Sequence, residues 1–264
     1  MPINLILAGP RGKMGKEAIQ MIENEPDFNL VAVIDHKNEG KSLKDIVETS
    51  VSNIPVFADP EACFTEIEAD VFIDLTTPDA GYKHTKAALT HNIRAVIGTS
   101  GFTEEKVHEL KEIADERQVG CIIAPNFAIG AILMMKFAKM AATYFPDVEI
   151  IEMHHDQKID APSGTAVKTA EMIRESRKPK QQGHPDESSH LEGARGAELD
   201  GLHIHSIRLP GLVAHQEVMF GGPGQLLSIK HDSLNRDSFM QGIQTSIYKV
   251  MEMKRLVYGL ENIL

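Results

Sequence analysis

The chain has 264 residues, 42% hydrophobic and 25% charged, the make-up of a globular protein with one large core or two smaller ones. Its 38 acidic and 27 basic side chains give a formal net charge of -11, which repels phosphate backbones and leaves no footing for nucleic acid. Two cysteines, Cys63 and Cys121, are too few for a disulfide scaffold or a thiolate zinc site, and no apolar run approaches the roughly 18 residues of a membrane span. The opening MPINLILAGP lacks a basic leader and a small-residue cleavage site, reads as a first strand, and makes a cytoplasmic protein the expectation.

Apolar, β-prone runs at 3–8, 30–34, 71–75, 95–97 and 120–124 alternate with segments of helical spacing. Residues 13–24 bring Met14, Ala18, Met21 and Ile22 to one face, and residues 103–117 do so with Val107, Leu110 and Ile113. Strands buried on both faces and interleaved with helices describe a parallel, doubly wound α/β sheet of the Rossmann type. Beyond Asn126 the pattern changes. A long apolar helix is predicted at 129–144, with Leu133, Met134, Phe137 and Met140, then a strand at 148–155 and a helix after Ser163. A polar loop fills 176–198, long enough to be functional or mobile. Strands follow at 203–209, 217–220 and 226–231, and a last helix at 236–254 carries Phe239, Ile243, Ile247 and Met251. The fold class is therefore α/β: a Rossmann-type domain plus an α+β substrate domain with an open mixed sheet.

Directly after the first strand stand Gly9, Pro10, Arg11, Gly12, Lys13, Met14 and Gly15. Glycines at this spacing give a tight turn, let backbone N–H groups approach a pyrophosphate and allow close helix–strand packing. Asp35 ends the second strand about 20 residues later, where a carboxylate serves ribose hydroxyls. A carboxylate alone favours NAD(H), but His36 and Lys37 beside it offset the repulsion of a 2′-phosphate, so NADP(H) is expected to bind as well. Two further strand ends, Gly98-Thr99-Ser100 and Ala124-Pro125-Asn126-Phe127, put small or amide-bearing residues where the rest of a dinucleotide would lie.

Glu152 to Ala166 is the densest run of chemistry. Strand alternation is expected to send His154 and His155 to opposite faces, with Lys158 in the turn beyond. Ser163 is a predicted N-cap, leaving the N–H groups of Gly164 and Thr165 as a carboxylate site. Each piece alone also fits an ordinary strand histidine or an ordinary helix cap. Glu152, His154, His155, Asp156 and Asp160 are all ligand types, yet adjacent strand residues diverge and no helical His pair supports them, so no metal is expected.

The block E-x-H-H-x-x-K-x-D-A-P-S-G-T-A resembles the 4-hydroxy-tetrahydrodipicolinate (dihydrodipicolinate) reductase family of bacterial lysine and diaminopimelate biosynthesis. So do the glycine loop, Phe72-Ile-Asp74-Leu-Thr76, Gly98-Thr-Ser-Gly101-Phe, Ala124-Pro-Asn126-Phe and the closing Tyr258-Gly-Leu, so the likeness spans the chain. The segment 204–220 resembles the Gram-positive branch, with Ala214, His215 and Gln216 where other branches have Gly-Glu-His. The resemblance implies NAD(P)H-dependent reduction of a cyclic dicarboxylate with loss of water. It implies His154 as acid–base, Lys158 as proton donor, and His155, Gly164 and Thr165 on substrate carboxylates. It further implies a nucleotide domain at 1–127 completed by 238–264, a substrate and oligomerisation domain at 128–237, and a homotetramer. A sugar, inositol or aspartate dehydrogenase would share the fold but lack the Ser-Gly-Thr helix start. A redox sensor would need no Lys158.

Overall fold

An apolar run broken only by Asn4 makes Ile3–Ala8 the first strand, β1, with Leu5 to Ala8 wholly buried. The computed structural model describes residues 1–51 and 53–264, which divide into two units, Met1–Phe127 with Phe239–Leu264, and Ala128–Ser238.

The first unit continues through α1 (Lys13–Asn24), β2 (Phe28–Ile34), β3 (Val56–Phe57), α2 (Pro60–Glu66), β4 (Val71–Asp74), α3 (Pro78–Thr90), β5 (Arg94–Ile97), α4 (Glu104–Arg117) and β6 (Cys121–Ile123). The second holds α5 (Ile129–Ala141), β7 (Asp147–His154), α6 (Gly164–Arg174), β8 (Ala197–Leu199), β9 (Leu202–Arg208), β10 (Ala214–Gly222) and β11 (Gln225–Ser233). The chain then returns to the first unit with α7 (Met240–Met251) and β12 (Leu256–Tyr258).

Among the described residues seven strands form one sheet in the order β12-β6-β5-β4-β1-β2-β3, all parallel. The order reverses between β1 and β4, so the crevice beyond their carboxyl ends is the ligand position of a doubly wound sheet. Two of its helices leave a faint trace in the sequence. α2 has only seven residues, started by Asp59 and Pro60, and the buried side of α3 is built from Gly81, Thr85, Ala87, Ala88 and Leu89, mostly too small to mark a period.

In the second unit the order is β11-β10-β7-β9-β8, with β7 and β9 parallel and the other pairs antiparallel. Alternation along β7 buries Val148, Ile150 and Glu152 on the face that α5 and α6 cover. Glu149, Ile151 and Met153 line the other face, with Ile207 and Met219 in register beside them. The helix expected at 129–144 closes at Ala141, and of the four residues named for it only Met134 is buried. α5 has apolar residues on its exposed side too, Leu133, Phe137 and Met140, so periodicity does not single out the face that Ala131, Ile132, Met135 and Ala138 bury. The segment between α6 and β8 is irregular, yet it is pinned: Arg177 donates to the carbonyls of Pro146, Lys180 and Asp200. The expected last helix begins as a short 3₁₀ turn, Arg236–Phe239, before α7.

Candidate active site

In the first unit the glycine loop follows β1 at the switch point. Gly9 has φ +84°, and a Cβ there would sit 2.9 Å from the carbonyl oxygen of Leu75. A Cβ at Gly15 would drive into the carbonyl of Gly9, so the loop and α1 pack backbone to backbone. α1 starts at Gly12 with no side-chain cap and no acid in its first turn, which suits an incoming anion. Over this loop Arg11 donates from Nε to Asp35 Oδ2 at 2.6 Å and from Nη2 to Oδ1 at 3.1 Å. Asp35 also accepts from the backbone N–H of Lys37 at 3.0 Å and from Asn38 Nδ2 at 2.8 Å. Burial pushes this carboxyl up, but Arg11, Lys37 and Asn38 together hold it below the ordinary value. The basic group that meets Asp35 is thus Arg11 of the glycine loop, whereas His36 and Lys37 expose their side chains.

Beyond β4 the fully buried Asp74 gathers the neighbouring strand ends. Its Oδ1 accepts from the Thr76 N–H at 3.0 Å, the Thr76 hydroxyl at 2.7 Å and the Thr99 hydroxyl at 2.6 Å, while Oδ2 meets His84 Nδ1 at 2.8 Å. Thr99 therefore spends its hydroxyl on the protein, and Ser100 beside it is exposed. At the end of β6, Ala124 and Phe127 are buried, Pro125 is exposed and Asn126 is half-buried.

In the second unit the strand β7 ends at His154, so His155 stands in the exposed turn rather than on an opposite strand face. The Nδ1 of His154 lies 2.5 Å from Oε2 of Glu152, two residues back on the same face. Arg208, in register with His154 on β9, donates from Nη1 to Glu152 Oε2 at 2.9 Å and from Nη2 to Oε1 at 2.8 Å. Burial pushes the Glu152 carboxyl up, and hydrogen bonds from Arg208, Ser206 and His154 more than reverse it, leaving it below the ordinary value. Burial also dominates His154 and holds it below the ordinary imidazole value against the pull of Glu152. In the turn Lys158 Nζ pairs with Asp160 Oδ1 at 2.7 Å, and the Lys158 N–H donates to the His155 carbonyl. Ser163 caps α6, its hydroxyl accepting from the Ala166 N–H at 3.2 Å, and a Cβ at Gly164 would meet only open space. Thr165 follows in the first turn of α6, half-buried.

The structure thus gathers Gly9, Arg11 and Asp35 in one unit, and His154, Lys158, Gly164 and Thr165 around one strand end in the other. Sequence reasoning missed the parts played by Asp74 and Arg208. Arg208 lies 56 residues from Glu152, and its only mark is a basic residue closing a half-buried strand. His215 serves the fold: Nδ1 meets Asp232 Oδ1 at 2.7 Å and Nε2 accepts from the Val213 N–H at 3.3 Å.

Comparison with known proteins places both halves together. Residues 3–127 match the family described as dihydrodipicolinate reductase, N-terminus, and residues 130–264 match dihydrodipicolinate reductase, C-terminus. A 4-hydroxy-tetrahydrodipicolinate reductase of Oceanobacillus iheyensis is 61% identical over 265 residues, covering 100% of both chains. The solved structure of a dipicolinate-bound dihydrodipicolinate reductase from Paenisporosarcina sp. TG-14 superposes with a TM-score of 0.91 at 57% identity, again over 100% of both. An apo scyllo-inositol dehydrogenase from Lactobacillus casei has a TM-score of 0.66 at 13% identity, over 99% of this chain and 91% of that one, a likeness of fold alone. With the family's two regions matched in order across nearly every residue, the chain belongs to the dihydrodipicolinate reductase family.

Proposed function

We propose that this protein reduces 4-hydroxy-tetrahydrodipicolinate to tetrahydrodipicolinate, with loss of water, in the diaminopimelate route to lysine. The supporting observation is the second-unit cluster, in which a buried Glu152 and Arg208 hold His154 at a strand end beside the Lys158 turn and the start of α6. A chain of this family with that cluster intact has the acid–base groups the reaction needs.

The first unit is the nucleotide-binding unit in this reading, and the second takes the substrate. Gly9, Pro10, Arg11, Gly12, Lys13 and Met14 receive the pyrophosphate, Asp35 and Arg11 the adenosine ribose. The strand ends Gly98, Thr99, Ser100, Ala124, Pro125, Asn126 and Phe127 line the remainder. The uncapped start of α1 and the carboxylate at the end of β2 fit a dinucleotide, and the Arg11–Asp35 pair suits NADH and NADPH alike. When bound, the reduced nicotinamide supplies hydride.

The protein's own groups manage protons and orientation. Loss of the ring hydroxyl as water leaves a conjugated imine, and hydride addition to it creates an atom that needs one proton. Lys158 provides that proton as an ammonium, and His154 shuttles it as acid–base. Gly164 and Thr165, at the start of α6, with His155, hold the two carboxylates. The enzyme works in the cytoplasm as a homotetramer, its copies covering the sheet face that carries Ile151, Met153, Ile207 and Met219. A coupled assay with the synthase that makes the substrate, following NADH and NADPH absorbance separately, tests the reading. No oxidation of either cofactor would refute it.

A further inference from the structure

We propose that Glu152 and Arg208 act as a charge-neutral clamp that fixes the proton of His154 on Nδ1, turning Nε2 outward as an acceptor and making Glu152 and Arg208 positioning residues for the reaction. The inference rests on the reading of His154 as the acid–base group.

Glu152 has no exposed side-chain surface, and besides the Ser206 hydroxyl its two oxygens receive four donors. Oε2 takes His154 Nδ1 and Arg208 Nη1; Oε1 takes Arg208 Nη2 and the Ser163 N–H at 3.2 Å. A carboxylate offers about four lone-pair sites, so this one is saturated. Because it is ionised it can only accept, and the hydrogen between it and His154 belongs to Nδ1. The remaining nitrogen, Nε2, carries the lone pair. Glu152 also ties the strand that bears His154 to the residue that caps α6, so one side chain sets the relation of the acid–base group to the proposed carboxylate site.

Burial is the main reason the histidine is not an imidazolium, and Lys158 and Arg208 add to it. A lone buried carboxylate favours the charged ring of a neighbouring histidine. The two-pronged guanidinium cancels that charge while leaving the hydrogen bond in place. The charged groups acting on His154 are Glu152 on its own strand, Arg208 on β9, and Lys158 in the turn, itself paired to Asp160. From β10 the paired residue is Ala214, and Gln216 next to it on that face is uncharged. Burial, Lys158 and Arg208 outweigh Glu152, and the ring is neutral at neutral pH. His154 therefore begins the cycle ready to take a proton, and Lys158 is the group that gives one.

The test is ¹⁵N-histidine NMR on the full chain, with the His154 signals assigned from their loss in His154→Ala. In the unsubstituted protein His154 is expected as the Nδ1–H tautomer, titrating below the ordinary imidazole value. Glu152→Gln should mix the tautomers, move the midpoint further down and lower kcat at least about tenfold, less than the roughly 10²–10⁴-fold that an acid–base group itself contributes. Arg208→Met should move the midpoint up, and the acid limb of the kcat–pH profile with it. The opposite signs keep the test whole if one variant does not fold. An Nε2–H tautomer in the unsubstituted protein, or a midpoint unmoved in the folded variants, overturns the proposal. Wild-type kcat in His154→Ala would instead overturn the catalytic reading while leaving the tautomer result standing.

Discussion

The Arg11 guanidinium lies in a two-pronged grip on the Asp35 carboxylate, joining the glycine loop after β1 to the end of β2, 24 residues away. A carboxylate at this place repels a 2′-phosphate, and a guanidinium attracts one. NADH and NADPH should therefore bind within about two orders of magnitude of each other, roughly 3 kcal/mol. Arg11→Ala should weaken NADPH about tenfold more than NADH, close to 1.4 kcal/mol. Calorimetric titration of both cofactors checks this, and equal losses for the two would show that Arg11 plays no part in the choice.

Lys158 is held by Asp160 and has little else to do in the fold. If it gives its proton as hydride arrives, the interaction belongs to the transition state. Lys158→Ala should lower kcat by about 10²–10⁴-fold with a smaller change in KM and no change in NADH affinity. Thr165→Val should act mainly on KM. Steady-state kinetics with parallel cofactor titration separates the two, and near wild-type kcat in Lys158→Ala would remove it from the mechanism.

Asp74, fully buried, meets four polar partners from its own strand end, from Thr99 and from α3. Asp74→Ala strands the His84 ring and the hydroxyls of Thr76 and Thr99, a loss of about 3–5 kcal/mol for a broken buried pair. The melting temperature should fall by roughly 6–20 °C. Asp74→Asn, which keeps the shape, should lose less. Calorimetry on the two variants is the check, and equal stability of Asp74→Ala and the parent would refute the account.

Acid should unfold the protein in two stages. Burial holds His154 and His231 below the ordinary 6.5, so the unfolded chain takes up protons there before the folded one does. Stability then declines gently as pH falls below about 6.5. Asp35 and Glu152 are held below 3.8 and 4.5 by their partners, so their contribution is whole above those values and is lost as pH falls through the lowered ones. Melting temperature followed from pH 8 to 3 should show a shallow slope and then a steep one. A rise between pH 7 and 5 would contradict it.

Sedimentation at micromolar concentration should give four times the 29.1 kDa chain mass. Met219→Glu, on the open face of β10, should shift the protein toward smaller species. A 29.1 kDa monomer for the parent chain would refute the tetramer.

The strands of the first unit were legible because both of their faces are buried and the apolar runs are unbroken, as in Leu5 to Ala8. Helices whose buried side is Gly81, Thr85, Ala87 and Ala88 leave no such mark. The candidate site was half legible. His154 and Lys158 sit in one short run of unusual composition, but Arg208 reaches Glu152 only through the pairing of β7 with β9, and local sequence carries no word of which strands will meet. The same holds for Arg11. In the sequence it is one residue of the glycine loop, and its grip on Asp35 appears only once β1 and β2 lie side by side.

The strand order of the large sheet has a bearing on how the protein is made. β6 pairs on one side with β5 and on the other with β12, yet 132 residues separate Ile123 from the start of β12 at Leu256. At about 5–20 residues per second, the ribosome needs roughly 7–26 s to produce that interval. For all of it β6 is a bare edge of Cys121, Ile122 and Ile123, each otherwise wholly enclosed. The second unit has time to fold during this interval, so the half translated first is the half completed last. Premature release or slow translation of the final segment therefore endangers the nucleotide-binding unit more than the one that follows it in sequence.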